Sequence, residues 1–311
     1  MKKAFTLFLF FCFCVDLYAQ ETEKSVYLFS YFKDNGKDGL HLAYSRDALK
    51  WEALKNDSSF LAPKVSKDKL MRDPCIIKGG DGNFHMVWTV SWTDKTIGYA
   101  WSKDLIHWSE QVAIPVMVNE EGTRNCWAPE ITYDDAKKQY LIYWASTITG
   151  KFLETASEKE SGYNHRIYYT LTKDFKKFSK TKLLYNPGFN VIDATIVKDG
   201  KRFVMFMKDE TREPAQKNLK IAFSNKMAGK YSSASAPITG KYWAEGPTVI
   251  RKDGLWMVYF DKYTLKQYGA ISSPDLLNWT DISNQISLPK GIRHGSIFTI
   301  TEIEFQKLLN P

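Results

Sequence analysis

Five short motifs in this chain place a charged or polar group beside a small residue, Pro or Gly. They are Arg72-Asp73-Pro74, Trp127-Ala128-Pro129-Glu130, Ile192-Asp193-Ala194, Ala244-Glu245-Gly246-Pro247 and Arg293-His294-Gly295. Aligned on Asp73, Ala128, Asp193, Glu245 and His294, their starts lie 55, 65, 52 and 49 residues apart. Three of the five positions are acidic, in a chain where Asp and Glu make up 35 of 311 residues. Carboxylates gathered in a partly dry place raise one another's pKa values. Two carboxyl groups with separated pKa values can hydrolyse a glycosidic bond. One stays protonated to donate to the leaving oxygen, and the other stays ionised to activate water or attack the anomeric carbon. A third acid can orient the donor. Each motif alone reads as a turn; the shared spacing is what points to a site.

A second series of motifs marches with the first. Ser-x-Asp-x-x-x-Trp occurs at Ser45–Trp51, Ser102–Trp108 and Ser273–Trp279, with a relative at Thr172–Phe178 and a degraded, longer copy at Ser224–Tyr231. The Ser and Thr positions are 57, 70, 52 and 49 residues apart. Each copy follows a strand-like run such as HLAYS or GYAWS. Asp suits the turn because its carboxylate accepts from nearby backbone amides. Further strand runs, FHMVWTV, QYLIYWAS, RFVMFMK and LWMVYF, fall between the two series. Four strands per unit of about fifty residues is a propeller blade. The first Ser-x-Asp turn has no start motif before it, and the last start motif has no turn after it. The expected fold is therefore all-β, a single five-bladed β-propeller, closed by pairing an N-terminal piece (26–51) with a C-terminal one (293–304). In such a ring the first strand of each blade lines the axis, so the five start motifs converge on one funnel.

Composition agrees with this. Apolar residues are 44%, charged residues 25% and aromatic residues 15%, with ten Trp and seventeen Tyr. Aromatic-rich chains of this kind lean toward strands and sugar-binding surfaces. The net charge of +8 is scattered, with no Lys/Arg block that would mark a nucleic-acid partner. Residues 1–19 read as a secretory signal: Lys2 and Lys3, an apolar stretch Ala4–Val15, then Leu17-Tyr18-Ala19 before Gln20. The expected organisation is a signal over 1–19 and a propeller over 20–311, exported to the periplasm or medium. A lipid anchor on Cys12 is the weaker alternative. No later stretch is long and apolar enough to span a membrane as a helix. Cys75 and Cys126 remain, either bridged or as two buried thiols.

The start motifs resemble those of glycoside hydrolase family 43 along essentially the whole expected mature chain. The resemblance implies a five-bladed propeller that inverts the anomeric centre, with Asp73 as general base, Asp193 as orienter and pKa modulator, and Glu245 as general acid. His294 matches a family position at the funnel centre that contacts water or a bound calcium ion. No cofactor is required on this basis, and calcium at the axis is a candidate. Arg293 is expected to hold substrate or Asp193. Trp92 and Trp127 are expected to stack on a sugar, with core packing as their alternative role. Glu130 is expected to face the axis more deeply, without a catalytic part. The expected partner is an oligo- or polysaccharide, and the expected activity that of an α-L-arabinofuranosidase or β-D-xylosidase. The alternatives are a galactan- or sialic-acid-directed glycosidase, a non-catalytic sugar-binding propeller and a protein-interaction scaffold.

Overall fold

The structure is a computed structural model and describes residues 25–310. The signal segment with Cys12 lies outside the described residues. The first elements of the described residues are β1 (Ser25–Tyr31), β2 (His41–Ser45) and β3 (Glu52–Ala53). A first complete sheet follows in β4 (Arg72–Lys78), β5 (Phe84–Thr89), β6 (Ile97–Ser102) and β7 (Val112–Ile114). The second is β8 (Trp127–Asp134), β9 (Gln139–Ser146), β10 (Arg166–Thr172) and β11 (Lys182–Tyr185). The third is β12 (Val191–Asp199), β13 (Arg202–Asp209) and β14 (Asn218–Ser224), and the fourth is β15 (Glu245–Lys252), β16 (Leu255–Lys262), β17 (Gln267–Ser273) and β18 (Thr280–Asp281). The last strand, β19 (Ser296–Thr301), returns to pair antiparallel with β1, from Ser25↔Thr301 to Ser30↔Ser296. The resulting sheet has the order β19-β1-β2-β3, so the two ends of the chain build one blade between them, as the phase of the motifs predicts.

Five hydrophobic clusters glue the blades. One holds β1, β2 and β19 against β4–β6 through Leu28, Leu42, Met86, Trp88 and Phe298. Others join the next pairs of blades in turn, through Trp144 and Val87, Met205 and Tyr143, and Phe206 and Phe260. The fifth sets Phe29, Trp51 and Tyr259 together and completes the circle. Cys75 and Cys126 are free and buried within this packing.

The third sheet has three strands where the repeat predicts four. Beyond β14 runs a Ser-rich segment that pairs it irregularly: Ser232, Ser235 and Ile238 N–H donate to the Phe223, Ile221 and Leu219 carbonyls, and hydroxyls accept from the β14 amides. Phe223 N donates to Ser232 Oγ, Ile221 N to Ser235 Oγ and Leu219 N to Thr239 Oγ1, at 3.0, 3.0 and 3.1 Å. Side-chain acceptors satisfy the edge amides without regular strand geometry. A further unpredicted element is α1 (Glu302–Leu309), started by a Thr301/Glu304 capping box and buried through Phe305 and Leu308.

Candidate active site

The inner strands do not run straight at the funnel. In β4, β8, β12 and β15 the register slips so that two residues oppose one: Asp73-Pro74, Ala128-Pro129, Asp193-Ala194 and Gly246-Pro247. The first residue of each bulge is left-handed, with φ of 52°, 44°, 52° and 60°. Such a conformation is costly for a side chain with a Cβ, and bulges of this kind re-aim side chains at functional sites. Pro suits the second position because a bulged residue needs no ladder N–H.

This geometry corrects the motif alignment. Asp73 and Asp193 are equivalent, but the fourth member of their series is Gly246, not Glu245. Glu245 sits one residue earlier, level with Arg72, Trp127 and Ile192; these four face Asp261, Thr89, Ala145 and Lys208, respectively, on the second strands. The reason is steric. A Cβ on residue 246 would lie 2.4 Å from His294 Cγ, so the axial imidazole requires glycine there.

Asp73 is gripped on both oxygens. Thr89 Oγ1 donates to Oδ2 at 2.7 Å, and His294 Nδ1 lies 3.4 Å from Oδ1. Burial pushes the Asp73 carboxyl up, but His294, Arg72 and Thr89 outweigh it and bring the pKa down to about 2. Asp193 behaves oppositely. Its burial and the charges of Glu245 and Asp73 prevail over His294 and Lys208 and push it up to about 6. Its Oδ2 accepts from Gly246 N–H at 3.0 Å, which ties it to the bulge beside Glu245. His294 is opposed by burial, but Asp193, Asp73 and Glu130 raise it to about 9, so an imidazolium stands among the acids. Glu130 faces the same axis. Burial lifts it to about 7, while it accepts from Thr195 Oγ1 at 2.7 Å and Tyr143 OH at 3.3 Å.

Glu245 lies between two cations. Its Oε2 is 2.9 Å from Lys208 Nζ and its Oε1 is 3.2 Å from Arg293 Nη2. Arg293 also donates through Nε to Asp261 Oδ2 at 2.5 Å. The expectation that Arg293 holds Asp193 is therefore corrected: its partners are Glu245 and Asp261, because Glu245 starts one position earlier than the alignment implied. At the rim Trp92 is 43% exposed, and Arg72 lies 4.3 Å over its ring. Trp127 meets Trp92 edge-on at 5.5 Å and packs on Tyr163 and His165, each at 4.8 Å. Trp92 is thus partly exposed with Arg72 over its ring, while Trp127 is half wall and half core.

His294 is the residue at which a calcium ion was expected. Among the described residues no group of three or more His, Cys, Asp and Glu side chains is arranged to hold a metal ion. His294 Nδ1 lies 3.4 Å from Asp73 Oδ1. No step below uses a cation.

Lys208, Asp261 and Thr89 did not emerge from the motifs. Their signal was a polar residue at or near the end of an apolar second strand, as in FHMVWT, RFVMFMKD and LWMVYFDK.

The chain is an all-β ring of sheets with clustered acids at its axis. Residues 23–306 match the glycoside hydrolase family 43-related family, described as a probable glycosyl hydrolase domain, and the chain belongs to this family of glycoside hydrolases. A curated relative, an α-L-arabinofuranosidase of Bifidobacterium longum subsp. longum, is 21% identical over 162 residues, 45% of this chain; the match spans only 15% of that relative's length. Among solved structures, an α-L-arabinofuranosidase from Lactobacillus brevis superposes with a TM-score of 0.53 at 20% identity, covering 68% of this chain and 72% of the other. An exo-β-1,3-galactanase from Phanerochaete chrysosporium gives 0.53 at 12% identity, covering 71% and 52%. At these identities the structural likeness is one of fold.

Proposed function

We propose that this glycoside hydrolase releases a pentose, L-arabinofuranose or D-xylose, from plant cell-wall polysaccharide with inversion, and that it acts after export directed by residues 1–19. The carrying observation is the convergence of the acids in one funnel: Asp73 accepts from Thr89 Oγ1 at 2.7 Å and lies 3.4 Å from His294, and Asp193 Oδ2 accepts from Gly246 N–H at 3.0 Å beside Glu245. Asp73 is the carboxylate able to take a proton from water. That water adds to the anomeric carbon as the glycosidic bond breaks, and Glu245 gives its proton to the departing oxygen. Asp193, bonded to Gly246 N–H, fixes the backbone that carries Glu245 and contributes repulsion to an ionised neighbour. Trp92 offers the exposed face for the sugar.

The pentose assignment draws on the arabinofuranosidases among the similar proteins, and the galactanase defines the competing reading. Aryl α-L-arabinofuranoside, β-D-xyloside and β-D-galactoside assayed side by side separate them. Turnover of a pentoside at least tenfold above the galactoside is expected. Turnover of the galactoside alone overturns the specificity, and tight binding of sugars without turnover of any overturns the catalytic reading.

A further inference from the structure

Lys208 is 1% exposed, at the end of β13, and its ammonium is held by two carboxylates rather than one. Glu245 Oε2 lies at 2.9 Å and Glu210 Oε2 at 2.6 Å. Glu210 is shared in turn: its Oε1 and its backbone carbonyl each accept from Lys217 Nζ at 2.6 Å. Lys217 then reaches Glu160 Oε1 at 3.4 Å, in the rim segment before β10. An alternating row of charges therefore runs inward from the rim, Glu160–Lys217–Glu210–Lys208–Glu245, and ends on the residue assigned above as the acid.

A buried ammonium needs a counter-ion at every stage of turnover. When Glu245 carries its proton, Glu210 alone balances Lys208. When Glu245 has given the proton away, Lys208 is there to meet the new carboxylate. We propose that Lys208 and Glu210 are a positioning pair for the hydrolysis, Lys208 drawing the proton off Glu245 toward the leaving group and Glu210 restraining that pull. This rests on the reading of Glu245 as the acid. Other charges face the same groups: Asp193 and Tyr263 face Lys208, Tyr263 at 3.4 Å from its Nζ, while Arg293 faces Glu245 with Asp261 behind it. Tyr263 also lies close to Glu245 and Glu210, and Glu210→Gln leaves all of these groups in place.

The two partners should shift the pH profile in opposite directions. With Glu210→Gln, Lys208 is left to Glu245 alone, the acid loses its proton more readily, and the alkaline limb of kcat/KM moves to lower pH. With Lys208→Met, the limb moves to higher pH and kcat falls. Shifts of roughly one pH unit are expected for charges at this range. Both should appear on a substrate with a poor, sugar-like leaving group and vanish on an aryl glycoside that needs no protonation. Glu210→Gln keeps shape and alone tests the direction should Lys208→Met fail to fold. A uniform loss of rate with the limb unmoved, or shifts of the same sign, overturns the pair. If Glu245→Gln slows both leaving groups alike, the acid assignment falls and this inference falls with it; leaving-group discrimination with fixed limbs rejects only the pair.

Discussion

A methyl group at position 246 would strike the His294 ring from a backbone already at φ +60°. Gly246→Ala therefore combines a left-handed penalty with a clash in a packed funnel. Together they should cost about 2–4 kcal/mol and lower Tm by on the order of 10 °C. Because His294 also grips Asp73, kcat should fall with stability. An unchanged melting curve would mean that the imidazole is free to step aside. The placement at this scale was legible in the motifs: Asp73, Asp193, Glu245 and His294 come together in the funnel. Their register was not legible. A bulge inserts a residue without altering the spacing of motifs, so Glu245 and Gly246 could not be told apart as the equivalent of Asp73. Lys208 and Asp261 were hidden differently, as charges terminating apolar runs that read as ordinary strand ends.

The blades owe their shape to repeated turns. In the copy after β6, Asp104 Oδ1 accepts from Ile106 N at 2.9 Å and His107 N at 2.7 Å, while Leu105 between them is left-handed at φ 65°. Ser102 Oγ accepts from Leu105 N at 2.9 Å, and Trp108 Nε1 returns to Leu105 O at 3.1 Å. Asp104→Ala removes two amide acceptors at a surface where water replaces part of the loss. It should cost roughly 1 kcal/mol, lowering Tm by a few degrees, with kcat/KM intact because the turn lies beyond the strand end far along β6 from the funnel. A melting curve equal to wild type would assign the turn to Ser102 and Trp108 instead. These turns were legible because backbone amides demand acceptors at fixed offsets. The missing fourth strand beside β14 was not, since Ser and Thr hydroxyls at 232, 235 and 239 satisfy the edge amides without any strand-like pattern.

The whole ring is what makes a site from these parts. Residues 73, 193, 245 and 294 come from four blades, and the last of these is completed only when β1 pairs with β19. That closure was readable from the offset between the two motif series, because an unmatched beginning and an unmatched end can satisfy their backbones only on each other. The same ring brings Asp73, proposed above to activate water, and Glu245, proposed to protonate the leaving oxygen, to one funnel around His294. The most direct test compares Asp73→Asn and Glu245→Gln on a natural oligosaccharide and on an activated aryl glycoside. Asp73→Asn should lose at least a thousandfold in kcat on both, because no water is activated. Glu245→Gln should lose comparably on the oligosaccharide but stay within about tenfold of wild type on the aryl glycoside, which leaves without a donated proton. Near wild-type rates for Asp73→Asn on both substrates would contradict the assignment of Asp73 as the base.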